Sequence, residues 1–333
     1  MKPKLLIVEL WGLGDLVIAT PFLRAASAMY EVTLLAKPYA HDLQARLWNE
    51  VKVVPFVAPW TAFKHKYRLF AWPWGEVLHL VRELSRQRFE YGLSARWDPR
   101  DHLLLRVIGA EKRLGFPRLR SEICLTQPLG RPEPGAHRYE HWRLMARALG
   151  FELPPRERLS LPHIRPQGEV LVHTGAGQAV RVWPLDRYLA LVTNLRQEGY
   201  QVRVACDPEQ RNWWLGVGET SVATPRRVNE LLELLDRAGA FIGNDSGPGH
   251  LAGFVGVPTF TFFGPQVPDW FAPLHPASEW IEGKACPYKP CSDYCRFETP
   301  RCLWNVFPEE VWPRIRHFIR SHISMPGVPS IRV

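Results

Sequence analysis

The chain has 333 residues, about two domains at the usual domain size, and with 46% hydrophobic and 23% charged residues it is neither a small peptide nor a disordered chain. Its net charge of +9 lies in one half: residues 1–165 hold 26 basic and 16 acidic side chains, whereas residues 166–333 hold 16 and 17. An excess of positive charge confined to one half indicates an anionic partner: nucleic acid, a phospholipid surface or a phosphorylated substrate.

The first half alternates short apolar runs with helical segments. Strands are predicted at 4–10, 31–36, 51–56 and 91–95, with helices at about 15–29, 75–88, 100–109 and 138–149. Glu9, Asp15 and three helix-breaking residues interrupt the longest apolar stretch, which therefore fits neither a membrane span nor a signal peptide. We expect a cytoplasmic protein whose thiols stay reduced.

A charged, proline-rich stretch at 153–168 is typical of a linker between domains. Beyond it the alternation restarts, with strands at 170–174, 200–205, 240–243 and 258–263 and helices at about 185–199, 226–238, 248–256 and 308–322. Continuous apolar strands separated by helices predict parallel sheets covered on both faces. We therefore predict an α/β fold with two Rossmann-like, doubly wound domains facing a cleft, at residues 1–160 and 161–306, followed by a helix and tail at 307–333.

The first glycine-rich motif follows the first strand. Gly12, Leu13 and Gly14 end the strand, and Asp15 opens the next helix. Doubly wound sheets bind ligands at the carboxyl ends of their strands, so a carboxylate here is expected to project into a ligand crevice. Aspartate at a helix N-terminus is also a good cap, and both roles stay open for Asp15.

The second motif, at 170–188, is a strand followed by the loop residues Gly175, Ala176 and Gly177, then a lone Arg181 and a helix. Such a loop lets backbone N–H groups approach a phosphate closely, but it also fits a plain turn. It lacks the Lys-Ser/Thr ending of a P-loop and the spacing of a dinucleotide fingerprint, so neither assignment holds.

The third motif places Asp245 and Ser246 between a strand and a short helix that begins at Gly247 and contains His250. Unpaired N–H groups and the helix dipole make such an N-terminus attractive to a diphosphate. Asp245 and Ser246 are also suitable caps. A carboxylate and a histidine this close to the exit of a buried strand favour a binding role over capping alone.

Together the three motifs resemble glycosyltransferase family 9, the family of the lipopolysaccharide heptosyltransferases. The resemblance rests on GLGDLVIATPFLRA, HTGAG with RVWPLDRY, and NDSGPGHLAGFVGVPTFTFFGP, with weaker matches at 105–116 and 137–150, and it extends over roughly residues 3–320. It implies a GT-B fold in which the first domain binds mainly the acceptor and the second mainly the nucleotide-sugar. It also implies a last helix that crosses back to the first domain.

The resemblance implies an inverting sugar transfer in which Asp15 is the general base for the acceptor hydroxyl. Arg181 stands where many members have lysine, and its planar fork suits the leaving diphosphate. Glu209 is a candidate for the nucleotide ribose, and the other implied donor contacts are Gly175, Ala176, Gly177, Asp245, Ser246, Gly247 and His250. No D-x-D pair occurs in the sequence, so we expect no catalytic metal, with an ADP-sugar as the co-substrate.

A segment at 57–75 interleaves aromatic and basic residues, which fits a lipid headgroup layer or a phosphorylated glycolipid. Nucleic acid is not expected, because no recognised nucleic-acid module accompanies the segment. The candidate acceptor-binding residues are Gly14, Lys64, Lys66, Arg68, Arg96 and Arg120. The basic surface is expected to extend over Arg96, Arg100, Arg113, Arg118 and Arg120. We therefore expect a protein that is peripheral on the inner face of the cytoplasmic membrane.

Four of the six cysteines lie within seventeen residues, namely Cys286, Cys291, Cys295 and Cys302. In a reducing compartment this cluster favours a structural metal site, either zinc or an iron or iron–sulfur centre, because four thiolates leave no open position for catalysis. The spacing lacks the C-x2-C knuckles that zinc favours, and the related autotransporter heptosyltransferases hold iron with four cysteines. Disulfides and free thiols remain alternatives.

The predicted function is therefore transfer of a sugar, heptose from ADP-heptose, to an anionic glycolipid of the lipopolysaccharide type. Two alternatives stay open: a protein O-glycosyltransferase of the same family, and a non-catalytic protein that binds nucleotide-sugars or phosphoglycans. Replacing Asp15 by alanine separates the transferases from the binding protein, because only a transferase has turnover to lose.

Overall fold

The protein is described by a computed structural model covering residues 2–62, 68–159, 168–291 and 293–324. The chain divides into two compact units, Met1–Pro154 and Pro155–Val333. Each unit is built around one parallel sheet, so the prediction of two α/β units is confirmed. No helix in the described parts of the chain is long and apolar enough to cross a membrane.

The described residues of the first unit form six strands and five α-helices. The strands are β1 Lys4–Glu9, β2 Glu31–Ala36, β3 Lys52–Pro55, β4 Tyr91–Ser94, β5 Lys112–Gly115 and β6 Gln127–Pro128. The helices are α1 Leu13–Met29, α2 Ala40–Leu47, α3 Trp74–Ser85, α4 Pro99–Ile108 and α5 Arg138–Ala148. All neighbouring strands pair in parallel, in the order β3-β2-β1-β4-β5-β6.

The central strand β1 shows why the first sheet is covered on both faces. Leu6 and Val8 pack into a core with α3 and α4. Leu5 and Ile7 point to the opposite face, because side chains alternate along a strand, and they are also fully buried. A strand that buries both faces reads as a continuous apolar run, which is the pattern that predicted it.

In the second unit, the part of the chain that the structure describes forms five strands and seven α-helices. The strands are β7 Glu169–His173, β8 Val202–Ala205, β9 Ala238–Asn244, β10 Thr259–Phe263 and β11 Ser278–Glu282. The helices are α6 Leu185–Gln197, α7 Arg211–Gly216, α8 Val228–Leu235, α9 Gly247–Phe254, α10 Pro268–Phe271, α11 Arg301–Trp304 and α12 Pro308–His322. The strand order is β11-β10-β9-β7-β8, again parallel throughout.

The last helix packs within the second unit. Its buried residues Val311, Ile315, Phe318 and Ile319 recur at helical spacing and join the core that β7, β9, β10 and α6 form. The Phe318 ring lies 5.6 Å from the ring of Phe260 in β10. The family resemblance implies that this same helix crosses back to the first domain, and that crossing stays a prediction.

Each sheet has one place where the direction of strand addition reverses. In the first sheet β2 lies on one side of β1 and β4 on the other; in the second, β8 and β9 flank β7. In open α/β sheets, the crevice at the carboxyl ends of the two strands that flank such a reversal is where ligands bind. The topology therefore marks two candidate sites, one at the ends of β1 and β4 and one at the ends of β7 and β9.

The sequence does not predict every element. It misses α2, β5, β6, α7, α10, α11 and β11. Most of these are short, and β5 begins with Lys112 and Arg113 and has no apolar run. Such strands form because a neighbouring strand supplies hydrogen-bond partners, a cause that local sequence does not reveal.

Candidate functional site

In the first unit, Asp15 lies in the first turn of α1, just beyond the end of β1. Its Oδ2 accepts a hydrogen bond of 3.3 Å from the backbone N–H of Gly12, so the carboxylate caps the helix. Its Oδ1 lies 3.5 Å from Nε of Arg138. The side chain remains 19% exposed, which leaves it reachable by a ligand. The capping role and a chemical role are therefore compatible.

Arg138, the first residue of α5, is a cation that faces Asp15. Its guanidinium is buried and lies 4.0 Å from the centre of the Trp11 ring. Its Nη1 donates 3.0 Å hydrogen bonds to the backbone oxygen of Ala95 and to Nδ1 of His141. Burial and the positive charge of Arg138 lower the pKa of His141 to about 3, so this histidine is a neutral acceptor at physiological pH.

Glu9, the last residue of β1, is a second carboxylate beside Arg138. Its Oε2 lies 3.9 Å from Nη2 of Arg138, and its Oε1 accepts a 3.1 Å hydrogen bond from the backbone N–H of Trp11. Burial raises the pKa of Glu9 from 4.5 to about 7; the charge of Asp15 adds to the rise, and Arg138 opposes it. Two carboxylates thus share one buried guanidinium at the end of β1.

The structure corrects the expectation for Arg96, which does not extend an exposed basic surface. It is only 3% exposed and lies 3.2 Å from Asp98 Oδ2 and 3.3 Å from Asp101 Oδ2. Because it follows β4 and lies over the Trp11 ring at 5.1 Å, it belongs to the same strand-end crevice as Asp15. Its charge is balanced inside the protein.

The other acceptor candidates are less closely grouped. Gly14 is half-buried in the first turn of α1, beside Asp15, while Arg68 and Arg120 are exposed. Lys64 and Lys66 lie outside the described residues. Of the six candidates, the structure brings Gly14 and Arg96 to the Asp15 crevice.

In the second unit, Asn244 holds the glycine-rich loop in place. Its side-chain amide donates to the backbone oxygens of Thr174 and Gly175, at 2.9 and 3.3 Å. Its Oδ1 accepts 2.9 Å hydrogen bonds from the backbone N–H of Trp183 and from the hydroxyl of Tyr188. One buried side chain at the end of β9 therefore ties together the exit of β7 and the start of α6.

A Cβ at Gly175 would clash with the Asp207 carboxylate, so a larger residue fits there only if the Asp207 side chain moves. At Gly177 a Cβ would meet nothing within 4 Å, and Ala176 lies between the two. Gln210 also binds this loop, with its Nε2 donating to the backbone oxygen of Thr174 at 3.1 Å. The loop is fixed at its base and open at Gly177.

Glu209 lies in the short helical turn Pro208–Gln210 after β8 and is exposed. The adjacent Gln210 bonds to Thr174 at the exit of β7. The turn that carries Glu209 is therefore attached to the glycine-rich loop, and a contact of Glu209 with the nucleotide ribose stays a prediction.

Arg181 stands at the centre of the second site, in the turn Ala179–Arg181. Its Nη1 lies 3.2 Å from Oδ2 of Asp245, the buried residue that follows β9. Its Nε and Nη2 each donate a 2.7 Å hydrogen bond to one oxygen of Asp293. The structure thus places Arg181 beside Asp245 and adds a carboxylate from the cysteine-rich segment.

His250 completes this group from the first turns of α9. It is 6% exposed, and its Nδ1 has no hydrogen-bond partner among the described residues. Burial, with the positive charge of Arg181, lowers the pKa of His250 to about 4, so the ring is neutral. Ser246 does not cap α9 with its side chain; its hydroxyl donates to the backbone oxygen of Asn244, at 3.2 Å. The N-terminus at Gly247 is therefore not closed by that hydroxyl.

The four clustered cysteines line one cavity of about 20 Å³ and form no disulfide. The disulfide alternative is therefore not what the structure shows. Within the described residues, no three His, Cys, Asp or Glu side chains are grouped so that they could hold a metal ion. The cavity brings together Cys286, Cys291, Cys295 and Cys302.

Sequence reasoning missed Glu9 and Arg138 in the first site and Asp293 in the second. A lone charge at the end of an apolar strand was the available signal for Glu9. Arg138 and Asp293 form ion pairs with Asp15 and Arg181, which lie more than a hundred positions away, so local sequence did not reveal these two contacts. Asn244 stands in the third motif, but its structural role did not follow from the motif.

Comparison with known proteins adds to this geometry. The family model of glycosyltransferase family 9 (heptosyltransferase) matches residues 77–299. Lipopolysaccharide heptosyltransferase 3 of Escherichia coli K12 is 34% identical over 105 residues, which are 28% of this chain and 30% of the relative. Lipopolysaccharide heptosyltransferase 1 of Pseudomonas aeruginosa is 27% identical over 204 residues, 53% and 58% of the two chains. The matches thus span less than two thirds of these relatives' length.

Solved structures extend the likeness to nearly the whole chain. E. coli ADP-heptose lps heptosyltransferase II matches with a TM-score of 0.71 and 18% identity over 96% of this chain and 99% of that one. E. coli heptosyltransferase WaaC with ADP gives 0.72 and 15%, over 95% and 99%. The iron-containing dodecameric glycosyltransferase TibC of enterotoxigenic E. coli gives 0.57 and 16%, over 96% and 78%. At these identities the likeness shows a shared fold, the GT-B class with two parallel-sheet units.

Proposed function

The chain belongs to glycosyltransferase family 9, the heptosyltransferase family, and we propose that it transfers heptose from ADP-heptose to a lipopolysaccharide-type glycolipid with inversion at the anomeric carbon. The observation that carries the proposal is the group formed by Arg181, Asp245 and His250 where the chain leaves β7 and β9. At this point the direction of strand addition in the second sheet reverses, which is where open α/β sheets generally bind their ligands. Relatives of the same fold are described with ADP and as ADP-heptose transferases.

The second unit supplies the groups that a nucleotide diphosphate needs. The fixed loop around Gly175 and Gly177 and the N-terminus of α9 present backbone N–H groups, and Arg181 supplies a positive charge. Asp245 offers a buried carboxylate to sugar hydroxyls, and Glu209 an exposed one to the ribose. Because the leaving diphosphate gains charge during transfer, donors that are fixed in advance stabilise the transition state more than the bound substrate.

The first unit supplies the base. As the bond from the anomeric carbon to the diphosphate breaks, the acceptor hydroxyl attacks that carbon and its proton passes to the Asp15 carboxylate. The capping bond from Gly12 and the contact with Arg138 orient this carboxylate. Arg138 is itself held by Trp11 and the Ala95 backbone, so the carboxylate faces a rigid cation.

An exposed aromatic surface on the first unit supports an acceptor held at a membrane. Phe70 is fully exposed and Leu69 about half exposed on the short helical turn Leu69–Ala71. Trp74 and Leu78, on α3, are also about half exposed. Arg68 precedes them. Apolar side chains beside a cation are suited to the headgroup region of an anionic bilayer. We propose that the protein works in the cytoplasm, with this surface on the inner face of the membrane.

We further propose that the four cysteines bind a structural metal ion, zinc or iron. Their common cavity and unpaired thiols support this, and a relative of the same fold is described as iron-containing. The described side chains as they stand do not form a ligand set, so binding requires them to close on the ion. Metal analysis and a visible spectrum of anaerobically purified protein test the proposal; a colourless, metal-free sample with four reactive thiols refutes it.

A panel of ADP-, UDP- and GDP-sugars, offered with a lipopolysaccharide-type acceptor, tests the function through release of nucleotide diphosphate. We expect acceptor-dependent release from ADP-heptose. Release from UDP- or GDP-sugars alone contradicts the heptose assignment. Binding without release from any donor favours a non-catalytic binding protein, and a mass increase on a protein acceptor favours a protein O-glycosyltransferase.

A further inference from the structure

Arg181 is held between two carboxylates, and the second of them, Asp293, comes from the cysteine-rich segment. Asp293 takes the Nε and Nη2 edge of the guanidinium with two parallel hydrogen bonds of 2.7 Å. Asp245 contacts Nη1 at 3.2 Å. We propose that Asp293 is a residue of the donor site, where its carboxylate occupies the Arg181 fork until the donor's diphosphate displaces it; this rests on the proposed function of Arg181.

The geometry of the contact supports displacement. A carboxylate and a phosphate bind an arginine fork in the same way, through two parallel N–H···O bonds, so they compete for the same edge. Two carboxylates in contact with one arginine offset its positive charge, which weakens its attraction for a diphosphate. Because Asp293 is only 11% exposed and Arg181 25%, water screens this effect incompletely. Strong diphosphate binding at this arginine therefore requires Asp293 to leave the fork.

The segment that carries Asp293 is attached on both sides of the contact. The backbone N–H of Cys291 donates to the oxygen of Pro265, just after β10, at 3.2 Å, and that of Lys284 donates to Cys302 at 2.9 Å. Val180, the neighbour of Arg181, lines the same cavity as the four cysteines. Asp293 itself has a φ of 70°, a left-handed conformation that aspartate tolerates better than most residues. The segment thus brings one carboxylate to the donor loop from 112 residues away.

Calorimetric titration with inorganic pyrophosphate in magnesium-free buffer tests this proposal without any assumption about the nucleotide base. We expect Asp293→Asn to bind pyrophosphate about tenfold more tightly than the natural protein, because a neutral amide competes weakly for the fork. Glu298→Gln removes an exposed carboxylate from the same segment and serves as the matched control, with unchanged affinity. Arg181→Met removes the group for which Asp293 and pyrophosphate compete. Arg181→Met and the double variant Arg181→Met with Asp293→Asn are therefore expected to bind pyrophosphate equally weakly.

A purely supporting role for Asp293 gives the opposite sign, since loss of the ion pair would then disorder Arg181 and weaken binding. Unchanged or weaker pyrophosphate binding by Asp293→Asn overturns the proposal, as does the absence of binding by both proteins. If Asp293→Asn does not fold, Asp293→Glu serves instead, because it keeps the charge on a longer side chain. Its affinity for pyrophosphate is expected to stay within about threefold of that of the natural protein. Pyrophosphate binding by Asp293→Glu that is more than about threefold tighter overturns the proposal. Tighter binding of Asp293→Asn together with no turnover of ADP-heptose leaves the proposal standing and refutes only the substrate assignment.

Discussion

Replacing Glu9 by glutamine removes a buried carboxylate whose pKa the structure perturbs strongly. Burial raises the pKa of Glu9 from 4.5 to about 7, so between these pH values the folded protein holds a proton that the unfolded chain releases. The folded state of the natural protein is therefore favoured below pH 4.5 and loses this advantage as the pH rises through about 7. At about 1.4 kcal/mol per pH unit, the loss amounts to about 3 kcal/mol.

Chemical unfolding at several pH values, followed by tryptophan emission, measures this difference. We expect the free energy of unfolding of Glu9→Gln, relative to that of the natural protein, to rise by about 3 kcal/mol between about pH 4 and about pH 8. A pH-independent difference in stability between the two proteins does not affect this change. Glu50→Gln, which changes an exposed carboxylate in the same unit, should give a curve parallel to the natural one. A stability difference for Glu9→Gln that stays flat with pH refutes the account of the Glu9, Arg138 and Asp15 group.

Two further predictions concern the loop and the exposed surface. Asn244→Leu removes four hydrogen bonds of buried groups, so we expect it to lower the free energy of unfolding by about 3 kcal/mol or more and to weaken ADP binding. The exposed Asn49→Asp should do neither, and equal stability of Asn244→Leu and the natural protein in chemical unfolding contradicts this role. The double variant Phe70→Ser with Trp74→Ser should bind anionic phospholipid vesicles about tenfold more weakly in co-sedimentation, whereas the control Val217→Ser should bind as the natural protein does. Added salt should weaken vesicle binding by the natural protein. Vesicle binding that neither the double variant nor salt weakens rules this surface out.

The fold was largely predictable because its central strands bury both faces. Strands such as β1 and β9 are continuous apolar runs, and the glycine-rich turns after them mark where they end. Short edge elements such as β11 were not predictable, since pairing with β10 rather than local composition stabilises them.

The candidate site was predictable only where its residues follow a strand in sequence. Asp15, Arg181 and Asp245 stand in motifs at strand exits, and the structure places each at the end of its sheet. The partners of these residues, Arg138 and Asp293, arrive from distant segments whose local sequence carries no sign of the contact. Ion pairs between residues far apart in the sequence form only when the chain folds, so the spacing of motifs does not predict them.

The exposure of Arg96 was predicted wrongly, whereas its role at the acceptor stays a prediction. As a cation in the basic half of the chain it is expected to extend a basic surface, but the structure buries it with two carboxylates. Asp98 and Asp101, two and five positions later, were the available signal. These two aspartates balance the charge of Arg96 inside the protein.

The central claim is that Asp15 is the base of a sugar transfer, and replacing it by asparagine tests this most directly because the amide keeps the shape and loses the basicity. We expect Asp15→Asn to lower acceptor-dependent release of ADP from ADP-heptose at least about a hundredfold while binding ADP as the natural protein does. Turnover by Asp15→Asn at the natural rate contradicts the account.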